Sequence, residues 1–251
     1  GTQLAADGNT SGAQAAFAQS IAYANKVIDG GTYALMKDRF GARKTEAQGN
    51  VYWDLFQENN VNYQDGNKEC IWAVKIDYAA YRAEDARSKL PYSRTYGPVF
   101  RDGSSGNLGG TLEDVGGRGI AQMIPTMYTR DDIYQGELGE DMRNSDIVFR
   151  RIFLGNVPSS SYYGLPVPWS VLYNSMNNKS LCYPVSCKIA TDKYTGLADG
   201  ENRSNLFRDD YFIRLPETIL LRAEAKQRSG DKPGAAADIN LLRDRANCSY
   251  T

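Results

Sequence analysis

Between Asp210 and Ala246 the chain reads DYFIRLPETILLRAEAKQRSGDKPGAAADINLLRDRA, and its apolar spacing predicts two helices joined by a tight turn. The first carries Leu215, Ile219, Leu220 and Ala223 on one side. It begins properly at Pro216, because proline is tolerated only in the first helical turn. Ser229-Gly230-Asp231 ends it. Asp231 caps the second helix and Pro233 sits near its start. There Ala235, Ile239, Leu242 and Ala246 recur at i, i+4, i+7 and i+11. Alanines within the stripes let two helix backbones approach closely. One such pair cannot bury both of its faces, so it needs stacked neighbours.

A third helix is predicted in SGAQAAFAQSIAYANKVIDGG, with Ser11 as N-cap and Gln14 completing a capping box. Phe17, Ile21, Ala24 and Ile28 repeat the same apolar spacing, and Gly30-Gly31 stops the helix. This is the packing logic of TPR-like helix pairs. The chain has too few such helices for a whole solenoid. Residues 11–30 and 213–247 therefore read as a helical scaffold, and 31–210 as a loop-rich region of the same single domain, 1–251.

In the middle region Glu69 to Tyr78 alternates as a strand with one well-buried face, and Ser145 to Gly155 reads as a second strand. Short helices are expected within Asn50–Asn59 and Gly119–Tyr134. The remainder is loop, glycine-rich from Arg101 to Gly119 and rich in Pro, Ser and Asn from Val157 to Gly200. Loops of this length inside a domain are often functional. Many of the 17 tyrosines lie in this region. An aromatic ring on a loop offers a flat apolar face with a polar rim, which suits the C–H face of a sugar as well as a protein partner. Trp53 and Trp72, among apolar neighbours, are assigned to the core.

Composition excludes several functions. The chain of 251 residues has no histidine, which removes Ser-His-Asp triads, Cys-His dyads and His-based zinc sites together. A net charge of −1 gives no general attraction to nucleic acid or an anionic membrane. Asp131, Asp132, Glu137, Glu140 and Asp141 lack EF-hand spacing and read as a solvated segment. No cofactor or metal is expected. Cys182 and Cys187, spaced C-x4-C, either close a small disulfide loop or stand as thiols beside Cys70 and Cys248. No stretch is long and apolar enough to span a membrane, and the first residues do not form a signal peptide. The sequence is then that of a cytoplasmic protein or of a processed or trimmed chain.

The hairpin resembles the C-terminal part of the SusD/RagB family. That family's pattern falls on Arg214, Leu215, Glu217, Leu220, Leu221, Ala223, Glu224 and Ala225, then Gly230, Ala235, Ile239, Asn240, Arg243, Arg245 and Ala246. Upstream, Ala15–Leu35 is similar to the preceding TPR-like helix, YWDLFQENN…KECIWAVKI to a following helix and strand, and EDMRNSDIVF to an Asp-x-Arg segment. The resemblance implies a mainly α fold, with TPR-like helix pairs as scaffold, long irregular loops and a few short strands. It implies a non-catalytic outer-membrane lipoprotein, surface-exposed, that binds a glycan and delivers it to a SusC-like TonB-dependent transporter. Family members are expected to be roughly twice this length. The chain thus reads as a fragment without the N-terminal helices, the lipid-anchored cysteine and the closing C-terminal segment.

The expected ligand-facing residues are Tyr78, Tyr81, Tyr92, Tyr96 and Trp169, with Arg94 and Asn107 as polar partners for hydroxyls. Two other functions are weighed. One is a peptide-binding RagB-like lipoprotein. The other is a carboxylate-based glycoside hydrolase using Glu217 and Glu224, which lie on one helical face about 10 Å apart along the axis. That exceeds the roughly 6.5–9.5 Å of inverting enzymes, and pairing with arginines is the simpler role for both acids.

Overall fold

The computed structural model describes residues 1–83, 90–100, 106–108, 117, 119–135, 139–174, 182–189 and 206–247. Its fold is mainly α, with a few short strands and no closed sheet. The long elements are α2 (Thr10–Ile28), α7 (Leu215–Arg228) and α8 (Lys232–Arg245). Helix α2 starts two residues earlier than a Ser11 cap would allow. Asn9 is the cap, and its side chain accepts the Gly12 N–H at 2.9 Å, leaving Ser11 in the first turn. Helix α7 opens with Pro216 in its first turn, as expected, and the Glu217 carboxylate accepts the Arg214 N–H at 2.7 Å. Gly230, at φ 93, turns the chain in the left-handed region. Asp231 then caps α8 through the Gly234 N–H at 2.9 Å.

Helix α7 packs against both α2 and α8. Ala13, Phe17 and Ala225 form the buried contact between α2 and α7, with Leu4 and Ile21 beside them. The small residues of the stripes set the close approach. Across it Arg222, itself buried, donates to both oxygens of buried Asp238 at 3.0 and 2.7 Å and to Asn25 Oδ1 at 2.9 Å. One side chain thereby ties all three helices, and Lys226 adds a second cation 2.9 Å from Asp238. The α8 stripe is only half used. Ala235 and Ala246 are buried, but Ile239 is exposed, as are Leu220 and Leu221 of α7.

The chain enters α7 from a strand. Here β1 (Cys70–Val74) pairs antiparallel with β4 (Asp210–Arg214), and Arg214 is both strand end and helix cap. Two irregularities break the ladder, between Cys70 and Trp72 and between Trp72 and Ala73. The expected buried face is inverted, with Trp72 and Val74 outside. Trp72 is 57% exposed, not in the core, and meets Phe212, itself 60% exposed, at 4.4 Å with the rings tilted. Trp53 is buried as expected, in α3 (Val51–Asp54). The second predicted strand shortens to β2 (Phe149–Arg150), paired with β3 (Val185–Ser186), plus single bridges at Leu154 and Gly155. The helix expected within Gly119–Tyr134 shortens to one π turn at Tyr128–Asp132.

A second core lies under the loops. It unites Phe100, Leu108, Phe153, Leu172 and Val185 with Cys182 and Cys187. Both cysteines are buried and not disulfide-bonded, so the C-x4-C loop is not closed, and the Cys187 Sγ donates to the Ile147 carbonyl at 3.3 Å. Cys248 lies outside the described residues. Buried polar anchors fix the segment before α3. Asp54 accepts from Arg39 Nε at 2.5 Å and from the Phe40 N–H at 3.1 Å. Among the described residues no helix is long and apolar enough to cross a membrane.

Candidate ligand-binding cleft

Four segments distant in sequence meet at a cleft of about 400 Å³: the end of α3, helix α5 (Tyr92–Tyr96), the chain after β3, and β4 with the start of α7. Its floor is aromatic. Phe56 meets Tyr211 edge-to-face at 5.8 Å and 89°. The Tyr211 hydroxyl donates to the Leu55 carbonyl and accepts from Asn67 Nδ2, so the ring cannot swing. Burial, chiefly, lifts its pKa far above the ordinary range.

One wall is α5. Tyr92 and Tyr96 are four residues apart, and their ring centroids lie 6.0 Å apart. The Tyr92 hydroxyl donates to Asp210 Oδ2 at 2.6 Å. Burial first, then that hydrogen bond and the Asp210 charge, push its pKa up to about 12. Tyr96 is 45% exposed and presents its ring to solvent. Its carbonyl accepts from the hydroxyl of fully buried Tyr183 at 2.9 Å, which seats this end of α5 on the second core.

Ser186, Ile189 and five charged residues complete the lining. Lys188, Arg208 and Arg214 face Asp210 and Glu217. The Arg214 guanidinium lies 5.2 Å from the Phe56 ring centre and 5.0 Å from that of Tyr211. Behind it stands Glu69, wholly buried, which accepts from Arg245 Nη1 and from the Met36 N–H at 2.9 Å. Burial raises the Glu69 pKa despite the opposing pull of Arg245 and Arg214. Flat rings below and charged or hydroxyl groups at the rim suit a small polar ligand with apolar faces.

Of the seven residues expected to face ligand, the structure brings Tyr92 and Tyr96 together here. Arg94 is exposed on the same helix but does not line the cleft. Tyr78 packs on Phe207 at 4.9 Å, and Tyr81 lies on the same short helix α4 (Tyr78–Arg82), its side chain outside the described set. Trp169 packs edge-to-face on Phe153 at 5.9 Å in the second core. Asn107 is buried and accepts the Ser160 hydroxyl. Sequence reasoning missed Phe56, Lys188, Arg208, Tyr211 and Arg214. The alternation of DYFIR just before Pro216 was the available signal for the last two. Glu217 is occupied as the α7 cap, and Glu224 pairs with Arg228 at 2.7 Å. Among the described residues no three acidic or cysteine side chains gather as a metal site. Asp141 is buried and paired with Arg143, and Glu137 lies outside the described residues.

Residues 170–251 match the SusD family model, which also covers RagB. The whole chain superposes on solved SusD-like structures. A SusD superfamily protein from Parabacteroides distasonis aligns with TM-score 0.55 at 15% identity, over 95% of this chain and 40% of its own. NanU from B. fragilis aligns with TM-score 0.54 at 18% identity, over 94% and 39%. The chain has the SusD fold, and its last third matches the SusD family model. Surface glycan-binding protein A from Bacteroides uniformis aligns with TM-score 0.51 at 18% identity, over 95% of the SusD-like chain and 39% of its own. The SusD-like chain thus spans about two fifths of the length of these structures. No curated protein matches it in sequence.

Proposed function

We propose that this SusD-like chain belongs to a non-catalytic, cell-surface glycan-binding protein, and that the Phe56–Tyr92–Tyr96–Tyr211 cleft is where the sugar sits. The cleft carries the reading: an aromatic floor and wall surrounded by hydrogen-bonding groups, on a fold shared with a protein named for surface glycan binding. The rings supply stacking for sugar C–H faces and the rim supplies partners for hydroxyls. Both acids once weighed for hydrolysis already hold structural hydrogen bonds, which favours binding over catalysis. In the proposed setting the full-length protein is lipid-anchored at the outer membrane and delivers its glycan to a SusC-like TonB-dependent transporter.

Affinity electrophoresis against a panel of plant, host and microbial polysaccharides tests this, with Tyr96→Ala alongside. The expected result is retardation by one glycan, lost in the variant. Tyr96 is exposed and its backbone anchor is untouched, so the variant folds. Retardation by no glycan, with a peptide library bound instead, overturns the reading in favour of peptide cargo. Shortening of the polysaccharide overturns its non-catalytic part.

A further inference from the structure

We propose that the cleft selects an acidic sugar, seating its carboxylate against the Lys188 ammonium. This rests on the glycan-binding reading and names the ligand class for it.

The acids of the cleft are already engaged. Asp210 accepts from the Tyr92 hydroxyl through Oδ2 at 2.6 Å and from Arg208 Nη2 through Oδ1 at 3.2 Å. Glu217 accepts the Arg214 N–H at 2.7 Å. Two of the cations are engaged as well. Arg208, 1% exposed, donates from Nη1 to the Asp209 carbonyl at 2.8 Å and from Nη2 to Asp210. Arg214 is ion-paired with Glu69 and with Glu217, each at 3.7 Å. Lys188 Nζ meets only the Tyr52 hydroxyl at 3.3 Å and the Tyr52 and Phe56 rings, with no carboxylate in ion-pair range among the described residues.

A neutral sugar hydroxyl accepts a hydrogen bond but leaves the Lys188 charge without a counter-ion. A carboxylate cancels it, and its two oxygens accept from several donors at once. The rings beneath Lys188 keep water from one side, so the attraction is screened less than at an open surface.

The test is calorimetric titration of the protein with oligogalacturonides, hyaluronan oligosaccharides and sialyllactose. Each is run beside its carboxyl-reduced form, at low and high salt, with Lys188→Met and Lys188→Arg in parallel. The expected result is an acidic oligosaccharide that binds roughly tenfold or more tighter than its reduced form. Its affinity falls with salt, the preference is lost in Lys188→Met, and Lys188→Arg retains it. Equal binding of acidic and reduced forms, or binding of neutral glycans alone, overturns the proposal and leaves the glycan reading standing. Silence towards these and towards every panel polysaccharide overturns both.

Discussion

Tyr92 does two things with one side chain. Its ring walls the cleft, and its hydroxyl fixes Asp210, which in turn holds Arg208. Tyr92→Phe keeps the ring and removes the hydrogen bond to a carboxylate, so it is expected to lower stability by about 2 kcal/mol. The pH dependence has a definite sign. The folded-state pKa is about 12 and the ordinary value is 10.0, so the native state holds this proton more tightly than the unfolded one. The contribution is complete below pH 10 and is lost as pH rises towards 12. Urea midpoints of the two proteins between neutral pH and pH 11 check this. The gap should be widest near neutrality and shrink above pH 10. Asp209 behaves oppositely. Burial disfavours its charge, but Asn62, the Ile76 N–H and Lys75 more than offset that and lower its pKa below 3.8. Its stabilisation is present above pH 3.8 and fades as pH falls through the lower native value. Acid titration of Asp209→Asn against the native protein, followed by circular dichroism, should show a stability difference near neutrality that closes only below about pH 4.

At the scale of elements, the α2–α7–α8 stack depends on a buried ion pair as much as on its alanines. Removing one partner of such a pair leaves a buried charge. Asp238→Ala is therefore expected to cost about 3 kcal/mol by urea denaturation. The double change Arg222→Met with Asp238→Leu should recover much of it; no recovery would mean that the pair contributes through more than its charge. Gly230→Ala meets no steric neighbour, yet its φ of 93 is strained for a side chain, so a loss of about 1 kcal/mol is expected from the same measurement. These helices were legible in the sequence because a period of 3.6 survives whatever packs on it. Strand β1 was legible as an element, but its faces were not. The period of two survives from Ile71 to Val74, but periodicity does not say which face is buried, and the face with Trp72 and Val74 is the exposed one. The cap of α2 is Asn9 rather than Ser11: the Ser11–Gln14 spacing pointed two residues too late, and the Asn9 side chain takes the Gly12 N–H instead.

At the scale of the molecule, the cleft exists only because α5, α3, β3 and β4 converge. Aromatic density was enough to find Tyr92 and Tyr96. It also drew in Trp169, whose ring serves the second core, and passed over Arg208, in the loop-rich region, and Arg214, in the scaffold, both of which lie near the Phe56 ring. Trp169→Ala is accordingly expected to lower the thermal midpoint, whereas Tyr96→Ala should leave it unchanged and weaken ligand binding. The exposed Trp72–Phe212 pair is a second aromatic surface that offers ring faces to a sugar. The direct test between the two surfaces is a crystal structure with the oligosaccharide that retards the protein most. Sugar density against Tyr96, Phe56 and Lys188 is the expected result. Density over Trp72 and Phe212, with the cleft empty, would contradict the assignment.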